Sequence, residues 1–331
     1  MTIEGTKKKI IELLPKQLCL LSEMLVYWCK LCRYNASFGT DNDIRKMQYT
    51  LLRENHVIEK GLSMRFPKKG FGQQKVLNLI ERLFKYASLY GEQERSFLLY
   101  PLSTIRAYIN YQKKEKVDVA QIEILFSSLC NKAGIDDSEL VTPAGISVVK
   151  GDVLKRQAEG NFESLLNSRH SIRYFLKDIP TRDVLNKALN LAQRTPSACN
   201  RQAWHTHVFT GDDCHKLLLM QGGCMGFYND IHCCIVVTAD MKGFLHYEPF
   251  QCYVDGGLYA QNLINALHFM GMGTIPLSFG FYDSKLSGIR KAFDIPENEV
   301  MILVIGVGIL PNDVKIAEST RKTVETTNTY H

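Results

Sequence analysis

Residues 255–274 read DGGLYAQNLINALHFMGMGT, and their apolar side chains recur at the spacing of an α-helix. This spacing predicts a helix from Gly257 to Met270 that is entered from Asp255 and ended by the Gly271-Met-Gly273 sequence. Its apolar positions are Leu258, Leu263, Ile264, Leu267 and Met270. They give the helix more apolar surface than a solvent-facing helix needs, so it packs either in the core or against a second copy of the chain.

Apolar segments on both sides of this helix are predicted to form strands. Residues 233–238 (CCIVVT) and 301–307 (MILVIGV) are nearly continuously apolar, which is typical of central strands, and residues 204–210 form a third strand. Thr181 is positioned to cap a further helix that Pro196 closes. Helices and strands without a strict βαβ repeat predict an α+β layer architecture. Neither a GxGxxG motif after a strand nor a P-loop motif occurs, which excludes those two nucleotide sites.

The amino-terminal part of the chain has a different pattern, because helical spacing predominates from Lys16 to about Leu129. We therefore predict an all-helical domain over residues 1–130, a connecting segment over 131–160 and the α+β domain over 161–331. The helical pattern breaks between His56 and Gly72. Two interpretations are open there: a helix that ends at Gly61 with a buried His56 and an ion-paired Glu59, which we favour, or a ligand site.

Length and composition exclude several classes of protein. A chain of 331 residues with 45% hydrophobic and 22% charged residues fits two globular domains. The basic excess lies in residues 1–150, net +7, but its charges are scattered among acidic ones, so we expect no nucleic-acid binding. We expect no membrane span, a cytoplasmic location and reduced thiols among the ten cysteines. Cys29-x-x-Cys32 has no second pair nearby, and no metal site is predicted.

Three polar segments of the second half are candidates for ligand binding. Residues 168–175 (SRHSIRYF) combine two guanidinium groups with a hydroxyl, which suits a phosphate. Residues 195–204 (TPSACNRQAW) are dense in amides and hydroxyls that could bind a heterocycle edge or a polyol chain. Residues 318–322 (ESTRK) place another cationic pair after the last strand.

These segments, with the 255–274 helix, resemble the FMN-dependent nitroreductases in content and order over roughly residues 162–325. The resemblance implies a mixed sheet flanked by helices and an intertwined homodimer that binds two FMN molecules at its interface. It also implies hydride transfer from NADH or NADPH through the flavin to a small organic acceptor. Because the flavin carries the chemistry, no catalytic side chain is predicted.

The resemblance also assigns cofactor-binding residues. It implies that Arg169 and Ser171 hold the FMN phosphate with Arg321 and Lys322, that His170 belongs to the same segment, and that Arg173 lies near the pyrimidine side of the flavin. A cation there stabilises the negative charge that develops at N1 on reduction. The implied ribityl and ring contacts are Pro196, Ser197, Asn200 and Gln202, and the implied turn at the flavin's outer edge is Pro276, Leu277 and Ser278.

Two departures from the commoner family pattern separate this chain from familiar members. Ala203 replaces the usual proline before Trp204, and Ser278-Phe279 stands where some members have Glu-Gly. The 56–72 segment is similar to helical extensions of nitroreductase-like proteins from surface-polysaccharide gene clusters, which implies a role in polysaccharide biosynthesis. Two alternatives stay open: a flavin-dependent dehydrogenase or oxidase of a bound substrate, and a non-catalytic flavin-binding scaffold.

Overall fold

The computed structural model describes residues 15–34, 43–91, 93–140, 144–281 and 283–331. Helices dominate the amino-terminal part, and a sheet with flanking helices follows, which confirms the predicted α+β class. The helices are α1 (Lys16–Tyr34), α2 (Ile44–Leu62), α3 (Gln73–Tyr90), α4 (Arg95–Lys114), α5 (Ala120–Ala133), α6 (Gly151–Ala158), α7 (Phe162–Ser168), α8 (Arg182–Ala192), α9 (Gly211–Gln221), α10 (Gln251–Phe269), α11 (Asp283–Ala292) and α12 (Val324–Thr327). The strands are β1 (Ile146–Lys150), β2 (Trp204–Thr210), β3 (Cys233–Asp240), β4 (Met272–Ser278), β5 (Glu299–Ile309) and β6 (Asp313–Ala317).

Helices α2 to α5 pack around one apolar core. Their shared buried side chains include Leu51, Ile58, Leu79, Leu83, Leu102, Ile105 and Phe126. The predicted break after α2 is present, and Gly70 and Gly72 adopt positive φ angles there. The aromatic ring of Phe71 lies where a side chain at Gly61 would project, so only glycine lets the loop pack back onto α2.

The main sheet has the strand order β2-β3-β5-β4 with antiparallel neighbours, and the predicted apolar strands β3 and β5 are central. A parallel bridge from Ser171 to Thr274 at its edge makes the sheet mixed. Both central strands extend beyond their predicted ends. At the end where β5 begins, the buried carboxylate of Glu299 accepts a hydrogen bond from the Thr238 hydroxyl and lies 2.8 Å from the His207 Nε2, so it is not left without partners.

Helices cover both faces of this sheet. Alternate residues of β3 point to opposite sides: Ile235 and Val237 pack with α8 and α10, whereas Cys234 and Val236 pack with α9 and α11. Thr181 caps α8 as predicted, and its hydroxyl accepts the Val184 N–H. The three layers explain the continuously apolar sequence of the central strands, since both of their faces are buried.

Helix α10 begins at Gln251, several residues before the predicted start. Asp255 was predicted to lie at the entry of the helix, but it lies inside it and is buried. Its carboxylate accepts hydrogen bonds from the Ala198 N–H at 3.2 Å and from the Gln251 side chain at 2.8 Å. Asp255 therefore ties the 195–204 segment to α10 instead of capping the helix.

The segment 131–160, predicted as a connection between domains, contains β1 and α6. Strand β1 pairs with β6, so the chain between the halves joins a second, two-stranded sheet. Lys315 of β6 donates hydrogen bonds to the main-chain oxygens of Met64 and Arg65, and Lys60 of α2 donates to the Gly223 oxygen. These contacts place the end of α2 beside β6 and beside the main chain at Gly223.

All ten cysteines are free thiols. Over the described ranges, no group of three or more His, Cys, Asp and Glu side chains is arranged to hold a metal ion. No described helix combines the length and the hydropathy needed to cross a bilayer.

Candidate active site

A cavity of about 580 Å³ lies where the 169–173 segment, α10, β4, the tail and α2 meet. Its volume is within the range of roughly 300–1,000 Å³ that small-molecule sites occupy. Both halves of the chain contribute to its wall. The lining residues are His56, Leu166, Asn167, Arg169, His170, Ser171, Arg173, Gln261, Ile264, Pro276, Ala317, Glu318, Ser319 and Arg321.

One end of the cavity, formed by Arg169, His170 and Arg321, is called the cationic end here. Burial lowers the pKa of Arg169, and the neighbouring charge of Arg321 lowers it further. The pKa of His170 is lowered by burial and by both arginines. Among the described residues, no carboxylate forms an ion pair with Arg169 or Arg321. The guanidinium charges of Arg169 and Arg321 converge there without a counter-ion among the described residues, which makes this end suited to an anionic ligand.

The backbone around Ser171 is fixed by the edge of the sheet. After α7 ends, the chain runs extended beside β4, and the Ile172 N–H donates to the Thr274 oxygen at 2.9 Å. The chain then packs Phe175 against Gly308, where an added Cβ would lie 2.7 Å from the Phe175 Cβ. Only glycine at 308 permits this approach, which holds Arg169, Ser171 and Arg173 along one wall.

Arg173 lies deeper in the cavity wall and is 3% exposed. Its Nη1 donates to the Ser171 oxygen at 3.4 Å, while its Nε has no hydrogen-bond partner in the described part of the chain. Burial lowers the pKa of Arg173 to about 10, and the negative charge of Glu59 opposes that shift. The guanidinium therefore keeps its charge at neutral pH and has unused donor capacity.

Helix α2 brings His56 to the wall of the cavity and buries Glu59 one turn further along. The side chain of His56 is 50% exposed and lines the cavity, whereas the side chain of Glu59 is 0% exposed. The favoured expectation of a buried His56 was therefore wrong: the helix turns the imidazole outward and buries the carboxylate. The His56 Nδ1 lies 3.5 Å from the Glu59 Oε2.

The buried carboxylate of Glu59 affects its neighbours. Burial raises the pKa of Tyr100, and the charge of Glu59 raises it further. The pKa of Glu318 is raised by the same two causes. Neither oxygen of Glu59 has a hydrogen bond of ordinary geometry among the described residues.

His268 of α10 is buried next to the cationic end, close to Arg169 and His170. Its Nε2 lies 2.8 Å from the Ser168 hydroxyl, and both residues are buried. Burial lowers the pKa of His268 to about 4, with further contributions from the charges of Arg169 and His170. His268 is therefore neutral near pH 7 and adds no charge to the site.

The 196–202 loop does not line the cavity of its own chain. Cys199, Asn200 and Gln202 all have positive φ angles, an uncommon conformation for residues other than glycine. The Ser197 hydroxyl accepts the Gln202 N–H at 3.0 Å, and the Gln202 side chain donates to Asn200. The loop is thus held by internal hydrogen bonds and is largely exposed, and its polar side chains are not part of the cavity wall.

Of the remaining predicted cofactor-binding residues, some line the cavity and others do not. Pro276 lines the cavity, but Leu277 and Ser278 do not, and the three residues belong to strand β4 rather than to the expected turn. Proline is tolerated there because β4 is an edge strand. Lys322 does not line the cavity and lies over the ring of Tyr49, with its Nζ 4.8 Å from the centroid.

Several cavity residues were not predicted from the sequence as site residues, notably His56, Gln261, Glu318 and Ser319. Gln261 lies in the helix predicted from residues 255–274. Its polar side chain among apolar neighbours is the sequence feature that could have marked it as a site residue. His56 lies in the one segment where the helical pattern breaks, for which a ligand site was the second interpretation. Its position in the cavity depends on how α2 packs against the tail, which spacing along the sequence does not determine.

The carboxy-terminal half of the chain has relatives among known proteins. Residues 166–221 and 220–309 match the model of the Nitroreductase family. An Archaeoglobus fulgidus protein called "Putative NADH dehydrogenase/NAD(P)H nitroreductase" is 28% identical over 152 residues, 46% of this chain and 86% of the relative. The carboxy-terminal half is therefore similar in sequence to oxidoreductases of this family.

Solved structures align with the same half. A nitroreductase family protein from Streptococcus pneumoniae TIGR4 covers 52% of this chain and 100% of its own, with 21% identity and a TM-score of 0.44. A Desulfovibrio desulfuricans protein described as a "putative nitroreductase in complex with fmn" covers 52% of this chain and 98% of its own, with 18% identity and a TM-score of 0.45.

Proposed function

We propose that this chain is an FMN-dependent oxidoreductase that takes reducing equivalents from NADH or NADPH and delivers them to a small organic acceptor. The observation that carries the proposal is the cavity whose cationic end, Arg169, His170 and Arg321, has no counter-ion among the described residues. The family match of residues 166–309 supports the same chemistry. A role in surface-polysaccharide biosynthesis rests on the resemblance of the 56–72 segment and stays a prediction.

The side chains present fit FMN. The cationic end and the Ser171 hydroxyl would hold the phosphate through charge-assisted hydrogen bonds. Arg173, with its unused donor, would face the pyrimidine part of the ring, where negative charge develops on reduction, and Pro276 would provide an apolar edge. When bound, FMN supplies the hydride chemistry, and the protein binds and orients it.

The direct test is spectroscopic. Protein incubated with FMN and freed of unbound ligand is expected to be yellow and to lose its visible absorbance anaerobically when NADH or NADPH is added. Free FMN with the same nicotinamide is the control for reduction without protein. A colourless protein would favour the non-catalytic scaffold. A yellow protein that only an organic substrate bleaches would favour the dehydrogenase or oxidase alternative.

We further propose that the functional unit is a homodimer. The outward face of α10 and its flank expose large apolar side chains, and the polar 196–202 loop does not line the cavity of its own chain. The exposed apolar side chains are Phe250, Tyr253, Val254, Leu258 and Phe269. A second copy packed on this face would bury them and could receive the loop at its own cavity.

Sedimentation equilibrium is expected to give twice the chain mass of 37.7 kDa. The double substitution Val254→Glu/Leu258→Glu is expected to yield monomers, because it places charges in the buried interface, and to weaken FMN binding. A matched double substitution at exposed positions of α3, Lys75→Glu and Lys85→Glu, is expected to leave the dimer intact. A monomeric wild-type protein with full FMN affinity would contradict the proposal.

A further inference from the structure

Helix α1 carries apolar side chains that the described part of the chain does not cover. Among the α1 residues whose burial the structure describes, none is buried. Its exposed large apolar side chains are Leu18, Leu21, Met24, Leu25, Tyr27 and Trp28. A helix in water takes most of its stability from packing its apolar face, and an apolar face left in water favours association. The helix therefore needs a partner beyond the described contacts of its own chain.

The exposed apolar side chains of α1 follow the spacing of a coiled coil. They recur at alternating intervals of three and four residues, as the a and d positions of heptads do. This stripe, called the α1 seam here, consists of Leu18, Leu21, Leu25, Trp28 and Cys32. The exposed fraction runs from 48% at Leu18 to 61% at Trp28, and the Cys32 thiol is exposed as well. A stripe with this period is the surface that packs knobs-into-holes against a second helix.

A different side of α1 contacts its own chain. The ring centroid of Tyr27 lies 4.8 Å from that of Phe250, which precedes the first residue of α10. At about 100° per residue, Tyr27 projects roughly 130° away from the middle of the α1 seam. Leu20, on the same side as Tyr27, is only partly exposed. The contact with Phe250 therefore holds α1 with its seam turned away from its own chain.

The same contact makes the α1 seam continuous with the face proposed above for the dimer. Phe250 is one of the exposed apolar side chains on α10 and its flank, which are about half exposed. At roughly 200 Å² for a large side chain, that face offers about 500 Å², whereas a stable interface buries about 800 Å² per partner. The α1 seam adds a similar area. The two surfaces together reach the size of a stable interface, which the α10 face alone does not.

Building on the proposed homodimer, we propose that the α1 seam packs against the α1 seam of a second copy of this chain within the same dimer. A twofold axis brings identical surfaces together, and a stripe that is apolar along its whole length is complementary to its own copy. Charge does not oppose the pairing, because the positions that flank the seam, residues 17, 22, 24, 29 and 31, are all uncharged. Lys16 and Glu23 project to the opposite side of the helix. The dimer then depends on residues outside the family-matched region, 166–309.

Trp28 reports whether the seam is covered. The chain has two tryptophans, and the other, Trp204, is 5% exposed. In the full-length protein freed of flavin, iodide is expected to leave the emission of Trp28 unquenched, because the partner helix shields the ring. The difference between wild type and Trp28→Phe isolates this emission, and the phenylalanine keeps an apolar ring in the seam.

Charges placed in the seam test the pairing itself. Leu21→Glu/Leu25→Glu is expected to raise the dimer dissociation constant about 100-fold, because it buries like charges against each other. Sedimentation equilibrium measures the constant, and iodide is then expected to quench Trp28. Lys16→Glu is the matched control: it makes the same change in net charge on the opposite side of α1 and is expected to leave the dimer intact.

A cross-link avoids any dependence on destabilising variants. Residue 25 is the middle of the seam, so it meets its own copy whether the two helices run parallel or antiparallel. Leu25→Cys is therefore expected to form an intersubunit disulfide under mild oxidation, with the bond located by mass spectrometry. Glu23→Cys, on the opposite side of the helix, is expected to form none.

The outcomes separate this inference from the proposals it builds on. A dimeric wild type in which iodide quenches Trp28, or in which Leu21→Glu/Leu25→Glu dimerises like wild type, overturns the α1 pairing alone. A monomeric wild type overturns both the homodimer and the pairing, and the bleaching of bound FMN still tests the oxidoreductase independently. A wild type of four chain masses that the double variant reduces to two would place the pairing between dimers and overturn it. Shielding of Trp28 only when phospholipid vesicles are added would assign the seam to a membrane surface and also overturn it.

Discussion

Arg169→Ala is expected to weaken FMN binding by roughly 10- to 100-fold, because a hydrogen bond to a charged group is worth about 1.5–3 kcal/mol. Arg169 is partly buried at the cationic end, where its guanidinium has no carboxylate partner among the described residues. Its charge is therefore available to a phosphate. The double variant Arg169→Ala/Arg321→Ala is expected to lose more, since both side chains line the same end.

Riboflavin is the matched probe, because it lacks the phosphate and keeps the ring. Fluorescence titration is expected to show riboflavin affinity unchanged in Arg169→Ala while FMN affinity falls. The control Arg182→Ala removes an exposed arginine outside the cavity and should alter neither. An equal loss for both flavins would contradict a phosphate role for Arg169.

The same substitution is expected to leave the apoprotein no less stable than wild type. Burial and the charge of Arg321 both lower the pKa of Arg169, which means that its positive charge is disfavoured in the folded state. Arg169→Ala removes that charge and with it the repulsion between the guanidinium groups of Arg169 and Arg321, which a bound anion would otherwise offset. Urea denaturation without flavin measures this, and a large loss of stability would indicate a structural role.

The sequence predicted most of the framework, because framework residues follow local rules. Continuous apolar runs correctly predicted the central strands, Thr181 predicted the helix cap of α8, and Gly271 predicted the end of α10. The cationic segments were also predicted, and the fold brings Arg169 and Arg321 into one cavity. Charged side chains that no local pattern uses are often functional, so this part of the site was visible in the sequence.

The parts that could not be predicted depend on packing between distant segments. Asp255 was expected at the start of a helix, yet its carboxylate holds the 195–204 segment through the Ala198 N–H. His56 was expected to be buried, yet α2 packs with the Glu59 carboxylate inward and the imidazole half exposed, while the expected pairing of Glu59 is present as a 3.5 Å contact with the His56 Nδ1. Helical periodicity gives the two faces of α2 but not what lies against each of them.

Arg173→Met is expected to lower the free energy of unfolding by about 1–3 kcal/mol, because it removes a buried positive charge that acts on the buried carboxylate of Glu59 without a direct ion pair. Arg173 is 3% exposed, and the Glu59 side chain is 0% exposed with neither oxygen in an ordinary hydrogen bond in the described structure. Equilibrium urea denaturation of the apoprotein at neutral pH measures the change. Arg290→Met is the matched control: that arginine is also buried, but its partner Asp283 is 78% exposed, so we expect a smaller loss.

Adding Glu59→Gln to Arg173→Met should return part of the lost stability, with a coupling energy of about 1–3 kcal/mol, because the uncompensated carboxylate is then gone. Additive losses would show that the two side chains do not interact, so that Glu59 would not be a counter-charge for Arg173. The cycle also determines how flavin binding can be interpreted. Weaker FMN binding in Arg173→Met has to be corrected for its lower stability, whereas the loss expected for Arg169→Ala tests the proposed contact with the FMN phosphate directly.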